Sequence, residues 1–137
     1  MKNKLHIFAV NFQSRKHACK YTEAKWEPEP DDSASDEEFE EWEERNPIWE
    51  LEFDLNGEGF LDSDSIETVT GKTRLAYVTS HLKSATDIES VENDSTGMNT
   101  FVLIFPGALH SLGGYKCKMK DTSQLKYLGA FKFNFPN

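Results

Sequence analysis

Cysteine is scarce in this 137-residue sequence, which contains only Cys19 and Cys117. Two cysteines are too few for a disulfide framework, and neither lies in a Cys-x-x-Cys or Cys/His spacing that would hold a metal. We therefore expect two buried thiols and no metal site. Long apolar runs are also missing, because residues 5–12 are interrupted by polar side chains and predict neither a signal peptide nor a membrane span. These absences favour a cytoplasmic protein.

Basic residues are outnumbered: 15 Lys and Arg stand against 24 Asp and Glu, and the formal net charge is −9 at pH 7. A chain of this charge is repelled as a whole by phosphate backbones and by anionic lipid. We expect neither nucleic acid nor a membrane surface as its partner.

Motifs of catalysis are lacking as well. The chain has no Gly-x-Ser-x-Gly, no glycine-rich phosphate loop and no His-Glu-x-x-His, and its four histidines are scattered. Asp62 and Asp64 form a close pair of carboxylates, so a small hydrolase built from them and a distant histidine stays open as an alternative. The main expectation is a protein that is not an enzyme and needs no cofactor.

What the sequence does contain is a strongly acidic segment within a length typical of one domain, residues 1–137. Residues 23–67 hold 19 of the 24 acids and only two basic residues, a net charge of −17, whereas the rest of the chain carries +8. A solvated face that maintains solubility would explain such a run. The separation of charge favours a docking face for a basic partner instead, with carboxylates for steering and interleaved aromatics as anchors. These aromatics are Trp26, Phe39, Trp42 and Trp49.

Hydrophobic spacing predicts an α+β fold, a mostly antiparallel sheet of about five strands with two or three helices packed on it. Strands are expected at residues 5–12, 49–55, 100–105, 115–119 and 125–135, the last two paired as a hairpin. Helices are expected at residues 14–24, 35–46 and 72–83, with serines at 14 and 35 as N-caps. An Asn-Gly turn is expected at residues 56–57 and a polar loop at residues 84–99.

A calcium-binding module at residues 54–65 is a further alternative. Oxygen ligands stand at loop positions one, three, five and nine and glycine at position six, in the segment Asp54-Leu-Asn56-Gly-Glu58-Gly59-Phe-Leu-Asp62. Position twelve is Ser65 instead of a bidentate glutamate, and the alternation before Asp54 predicts a strand where a calcium loop needs a helix. A strand, a turn and a short acidic loop are therefore the favoured interpretation.

The order of these segments resembles the immunity protein 22 family of bacterial polymorphic-toxin systems over nearly the whole chain. The similar segments are Leu5-His-Ile-Phe-Ala-Val-Asn-Phe12 with the helix after it, the acidic helix from Ser35 to Trp42, Asp62-Ser-Asp64-Ser-Ile66-Glu67, Asn99-Thr-Phe-Val-Leu-Ile-Phe105 and Leu125-Lys-Tyr-Leu-Gly129-Ala-Phe131. The chain has Phe8-Ala9-Val10 where the family has Trp-x-Gly. The resemblance implies a small cytoplasmic protein, without catalysis or cofactor, that binds and blocks a cognate toxin, often a nuclease.

Charge and resemblance lead to one hypothesis: an immunity protein whose acidic face neutralises a basic protein toxin, with its own oligomeric state left open. A nuclease surface must be basic to hold phosphate, and carboxylates can occupy it. The residues expected at the interface are Glu37, Glu40, Glu41, Trp42, Glu44, Asp62 and Asp64.

Overall fold

The structure, a computed structural model, describes residues 4–46, 48–55, 65–105, 119–122 and 124–133, apart from the side chains of residues 52 and 53. Its strands are β1 (Lys4–Val10), β2 (Ile66–Val69), β3 (Thr100–Ile104) and β4 (Lys126–Lys132). Its helices are α1 (Arg15–Thr22), α2 (Asp36–Arg45), α3 (Glu50–Leu55), α4 (Arg74–Thr79) and α5 (Ala85–Asp94). The predicted α+β class is confirmed.

The four strands form one antiparallel sheet in the order β2-β3-β1-β4. Every residue of β3 is buried, as expected of an apolar strand with neighbours on both sides. β1, β3 and β4 were predicted, whereas β2 is a strand of four residues that hydrophobic spacing did not indicate. The strand and hairpin predicted at residues 115–119 fall outside the described residues, except Met119, which belongs to no strand.

Helices cover both faces of the sheet, and each face has its own apolar core. On one face, Leu5, Ile7 and Phe101 pack against Val78 of α4 and Val91 of α5. On the other face, the alternate residues of the same strands pack against α1 and α3. This second core contains Phe8, Val102 and Ile104 from the strands, with Tyr21, Leu51 and Leu55 from the helices. The period of two along β1 and β3 thus divides their side chains between two helical layers.

Helices α1 and α2 begin at the predicted caps. The Ser14 hydroxyl accepts a hydrogen bond from the His17 N–H at 3.2 Å, and the Ser35 hydroxyl accepts one from the Glu38 N–H at 3.2 Å. α4 lies inside the helix predicted at residues 72–83. Among the described residues, no helix combines the length and the apolar character that crossing a bilayer requires.

The strand predicted at residues 49–55 is wrong, because this segment forms helix α3. Leu51 and Leu55 are four residues apart and both are buried in the core that α1 also covers. In a segment of seven residues, apolar positions that alternate also contain the four-residue spacing of a helix face, so the local pattern does not distinguish the two. The Asn-Gly turn expected next lies outside the described residues.

The loop predicted at residues 84–99 is also wrong, because its first part forms helix α5. The Ser84 hydroxyl caps it by accepting a hydrogen bond from the Asp87 N–H at 3.0 Å. Only Val91 of this helix is fully buried, with Ile88 packed partly against the same core. A helix that buries so narrow a stripe is mostly polar, so its composition resembles that of a loop.

The thiol of Cys19 is free and only half-buried, which corrects the expectation that it is buried. Burial nevertheless raises its pKa above the ordinary value, as does its contact with Glu23. Cys117 falls outside the described residues.

Candidate functional site

The central feature of the acidic segment is one face of α2 lined with carboxylates. At 3.6 residues per turn, Glu37, Glu40, Glu41 and Glu44 lie on the same side of this helix. All four are exposed, and no residue of α2 is buried. The structure therefore brings together four of the seven predicted interface residues.

The opposite side of α2 attaches the helix to the rest of the protein. Phe39 and Trp42 are half-buried there, and the Trp42 Nε1–H donates a hydrogen bond to the Glu27 carbonyl oxygen at 3.1 Å. The Trp42 ring lies 5.8 Å, centroid to centroid, from the ring of Trp26. The side chain of Trp42 thus faces away from the carboxylates with which it was grouped.

A cluster of polar contacts around Glu27 holds the end of α2. The Glu27 carboxylate accepts hydrogen bonds from Arg45 Nε at 2.9 Å and from Asn46 Nδ2 at 3.1 Å, and the Glu27 N–H donates to Asn46 Oδ1 at 2.7 Å. The hydrogen bond from Arg45, followed by that from Asn46, holds the pKa of Glu27 below its ordinary value. These contacts fix the position of the helix although it contributes nothing to either core.

The carboxylates of α2 have no counter-ion among the described residues. In the part of the chain that the structure describes, the ion pairs are Lys25 with Glu23 and Arg45 with Glu27, and neither uses an acid of α2. Three acids in the first turn are stabilised by the helix dipole, whereas the acids of the later turns gain nothing from it. Negative charge on this face is therefore available to an external cation.

Trp49 does not belong to the docking face on which it was expected. Its side chain is buried, and its Nε1–H donates a hydrogen bond to the Thr22 carbonyl oxygen at 2.8 Å. The exposed aromatic beside α2 is Trp26, whose accessible fraction is 62%. The sequence gives no periodic signal for it, because Trp26 precedes a segment rich in proline and glutamate.

The remaining predicted sites are only partly described. Asp62 and Asp64 lie outside the described residues, as do residues 56–64 of the calcium-loop pattern. Asp54 lies in the last turn of α3 and accepts a hydrogen bond from the Tyr21 hydroxyl at 2.7 Å. The strand expected before it is a helix, so that objection to a calcium loop no longer holds, whereas Ser65 at position twelve still does.

The Nδ1 atoms of three described histidines contact hydroxyl or carbonyl groups, that of His17 lying 2.8 Å from Ser14 Oγ. His6 Nδ1 lies 2.9 Å from the Tyr127 hydroxyl, and His81 Nδ1 lies 2.9 Å from the Tyr77 carbonyl oxygen. Among the described residues, no group of three or more His, Cys, Asp or Glu side chains is placed to hold a metal ion.

Comparison with known proteins finds no match: neither family models, nor curated proteins, nor solved structures resemble the chain closely enough to align with it. The resemblance to the immunity protein 22 family stays a prediction from the sequence.

Proposed function

We propose that this protein is an immunity protein that binds and neutralises a basic protein toxin, of the nuclease class, through the carboxylate face of α2. The observation that carries the proposal is the exposure of Glu37, Glu40, Glu41 and Glu44 on a helix that buries no residue. A helix that adds little to the core and carries like charges without an ion-pair partner among the described residues is costly for folding alone. A basic partner would offset that cost.

The spacing of these charges fits a surface that holds nucleic acid. From Glu37 to Glu44 the helix advances about 10 Å, and four carboxylates lie along that length. One strand of duplex DNA carries a phosphate about every 3.4 Å of helix axis, or about three over the same distance. The carboxylate face therefore presents a comparable charge density to a cleft lined with lysine and arginine.

Trp42 of α2 and Trp26 beside the helix have separate roles in this proposal. Trp42 is fixed by its hydrogen bond to the Glu27 carbonyl, so it positions the helix. Trp26 leaves most of its ring in solvent and is the aromatic that a partner can bury. Carboxylates at the rim then set the association rate, and the tryptophan contributes to affinity.

The test compares two double charge reversals that have identical net charge. Glu41→Lys/Glu44→Lys changes the carboxylate face, whereas Glu89→Lys/Glu92→Lys changes two exposed acids at the same spacing on α5. Each tagged protein is used to capture partners from the cells of origin at low salt, with elution at high salt and mass spectrometry. The captured protein is then assayed for nuclease activity with and without wild-type protein.

We expect the wild type and the α5 variant to capture the same basic protein and to inhibit it. The α2 variant should capture it at least about tenfold less, because removal of close charge pairs slows association and speeds dissociation. Equal capture by all three proteins would place the interface elsewhere. A captured protein whose toxicity and activity are unchanged by wild type would contradict neutralisation.

A further inference from the structure

Among the residues that the structure describes, the outer edge of β2 pairs with no other strand. β2 pairs with β3 on one side only, in the register Ile66↔Ile104 to Val69↔Phe101. The Phe105 N–H donates to the Ser65 carbonyl oxygen at 3.0 Å. Since backbone groups alternate in direction along a strand, those of Glu67 and Val69 also point toward β3. The backbone groups of Ile66 and Thr68 consequently point outward.

One of these outward groups already has a partner. Arg15 of α1 donates a hydrogen bond from Nη1 to the Thr68 carbonyl oxygen at 3.0 Å and one to Thr70 Oγ1 at 3.2 Å. Within the described part of the chain, the N–H and C=O of Ile66 and the N–H of Thr68 have no such partner. Arg15 therefore covers one end of the edge and leaves the other end able to accept a strand.

The edge forms the floor of an open groove with a volume of about 660 Å³. One wall comes from α1 and the segment after it, including Arg15, Glu23 and Trp26. The other wall comes from Tyr77 of α4 and from Thr73, the residue before this helix. Because helices overhang the edge on both faces of the sheet, an added strand would be held on its two sides as well as along its backbone.

The chemistry of the walls selects a cation. Trp26 and Tyr77 are exposed aromatic rings, at 62% and 41%, and aromatic faces attract lysine and arginine. Glu23, which also pairs with Lys25, and Glu67, which accepts the Tyr77 hydrogen bond, add two carboxylates. The Arg15 guanidinium is engaged with the Thr68 carbonyl oxygen. The groove also lies at the border of the acidic segment, residues 23–67. An extended segment rich in lysine or arginine is complementary to the two aromatic rings and the two carboxylates.

We propose that the outer edge of β2 binds an extended basic segment of the partner by strand addition. This inference rests on the proposed function for the identity of the partner, and it adds a second contact of a different kind. The helix α2 would supply long-range attraction, and the edge would supply directional hydrogen bonds from the Ile66 and Thr68 backbone.

The test uses a blocked heptapeptide of alternating lysine and valine, and a glutamate–valine peptide as its control. Binding is followed through the backbone amide signals of the full chain by NMR, with nuclear Overhauser effects between the peptide and the Ile66 amide. The matched variants are Thr68→Pro and Thr68→Val. Both remove the hydroxyl that lies 2.7 Å from Thr22 Oγ1, but only proline removes the outward N–H. Proline is tolerated at an edge position whose N–H faces solvent.

We expect the lysine peptide to shift the Ile66 amide and to show the Overhauser effects, whereas the glutamate peptide does neither. Thr68→Pro should weaken binding about tenfold and Thr68→Val less than about twofold, because strand addition depends on the backbone donor. Equal weakening by both variants, or binding of the lysine peptide without contacts to Ile66, would overturn the inference. So would concentration-dependent shifts of the Ile66 amide without peptide, since a second copy of the chain would then occupy the edge.

The two proposals fail in different ways. If Thr68→Pro loses peptide binding but the α2 variant captures the partner as well as wild type does, only the proposed role of α2 is contradicted. If the α2 variant captures the partner about tenfold less but no peptide binds at β2, only the proposal of strand addition is contradicted.

Discussion

At the scale of single residues, a short hydrogen bond joins Tyr77 and Glu67, which both line the groove. The Tyr77 hydroxyl donates a hydrogen bond to Glu67 Oε1 at 2.6 Å across 10 residues of sequence. This hydrogen bond, with smaller effects of burial and of the negative charge, raises the pKa of Tyr77 to about 12. The contact links α4 to the edge strand β2.

Replacing the carboxylate should return the phenol toward its ordinary behaviour. In Glu67→Gln we expect the pKa of Tyr77 to fall from about 12 toward 10, because the amide removes both the charged acceptor and the negative charge. The measurement is a pH titration of the assigned Tyr77 ring signals by NMR, with Tyr127 of the same protein as an internal control. An unchanged Tyr77 titration would show that the hydrogen bond does not determine its pKa.

The same contact sets a direction for stability against pH. Because the folded protein holds the Tyr77 proton more tightly than the unfolded chain, its contribution is fully present below pH 10 and is lost as the pH rises toward 12. The loss above pH 10 should be smaller in Glu67→Gln than in wild type.

At the scale of elements, two helices with similar caps differ in how they are attached. Ser35 caps α2, which buries no residue, and Ser84 caps α5, which buries Val91 in a core. In both, the serine hydroxyl accepts a hydrogen bond from the N–H three residues later. Secondary structure is therefore comparable in the two helices, and tertiary contact is not.

This difference predicts opposite results for one substitution made at two places. Ser84→Ala should lower the global free energy of unfolding by about 1 kcal/mol, because the helix it caps folds with the core. Ser35→Ala should leave that global value nearly unchanged and should instead speed the hydrogen exchange of α2 amides, because α2 can open locally. Denaturant unfolding and native-state hydrogen exchange of both variants are the measurements. A similar loss of global stability in the two variants would contradict the peripheral position of α2.

The elements that sequence reasoning located correctly are those with local signals. β3 is a continuous apolar run, and α1 and α2 start at serine caps whose hydrogen bonds lie within three residues. α3 and β2 lack such signals. Leu51 and Leu55 become helical because contacts with distant strands favour that face, and β2 exists only through its pairing with β3.

The candidate site divides in the same way. The alignment of Glu37, Glu41 and Glu44 follows from helical spacing and was predictable from the capped acidic run. The orientation of Trp42 depends on the Glu27 carbonyl and the Trp26 ring, 15 and 16 residues earlier in the chain. The groove at β2 combines residues from α1, β2 and α4, so no single segment of sequence indicates it.

At the scale of the whole molecule, the charge is distributed asymmetrically along the chain. Residues 23–67 carry −17 and the remaining residues carry +8, so the surface potential must differ strongly between regions. α2 holds seven of the acids on one short helix, whereas α5 packs on the face of the sheet opposite to α1 and α3. Removing one charge from α2 or one from α5 changes the net charge equally, but the two changes differ in their effect on the asymmetry of charge.

Ion-exchange chromatography can detect this asymmetry of charge without the partner protein. Glu41→Lys/Glu44→Lys and Glu89→Lys/Glu92→Lys have the same net charge, so retention governed by net charge would be identical. A charged surface binds the region of highest opposite potential first, and we expect this region to be α2. The α2 variant should therefore elute from an anion exchanger at clearly lower salt than the α5 variant, with the wild type last. The difference should shrink as the buffer approaches about 0.15 M ionic strength, where charges more than about 8 Å apart are screened. Coincident elution of the two variants at low ionic strength would show that α2 is not the dominant acidic surface, and it would remove the electrostatic basis for docking at its carboxylate face.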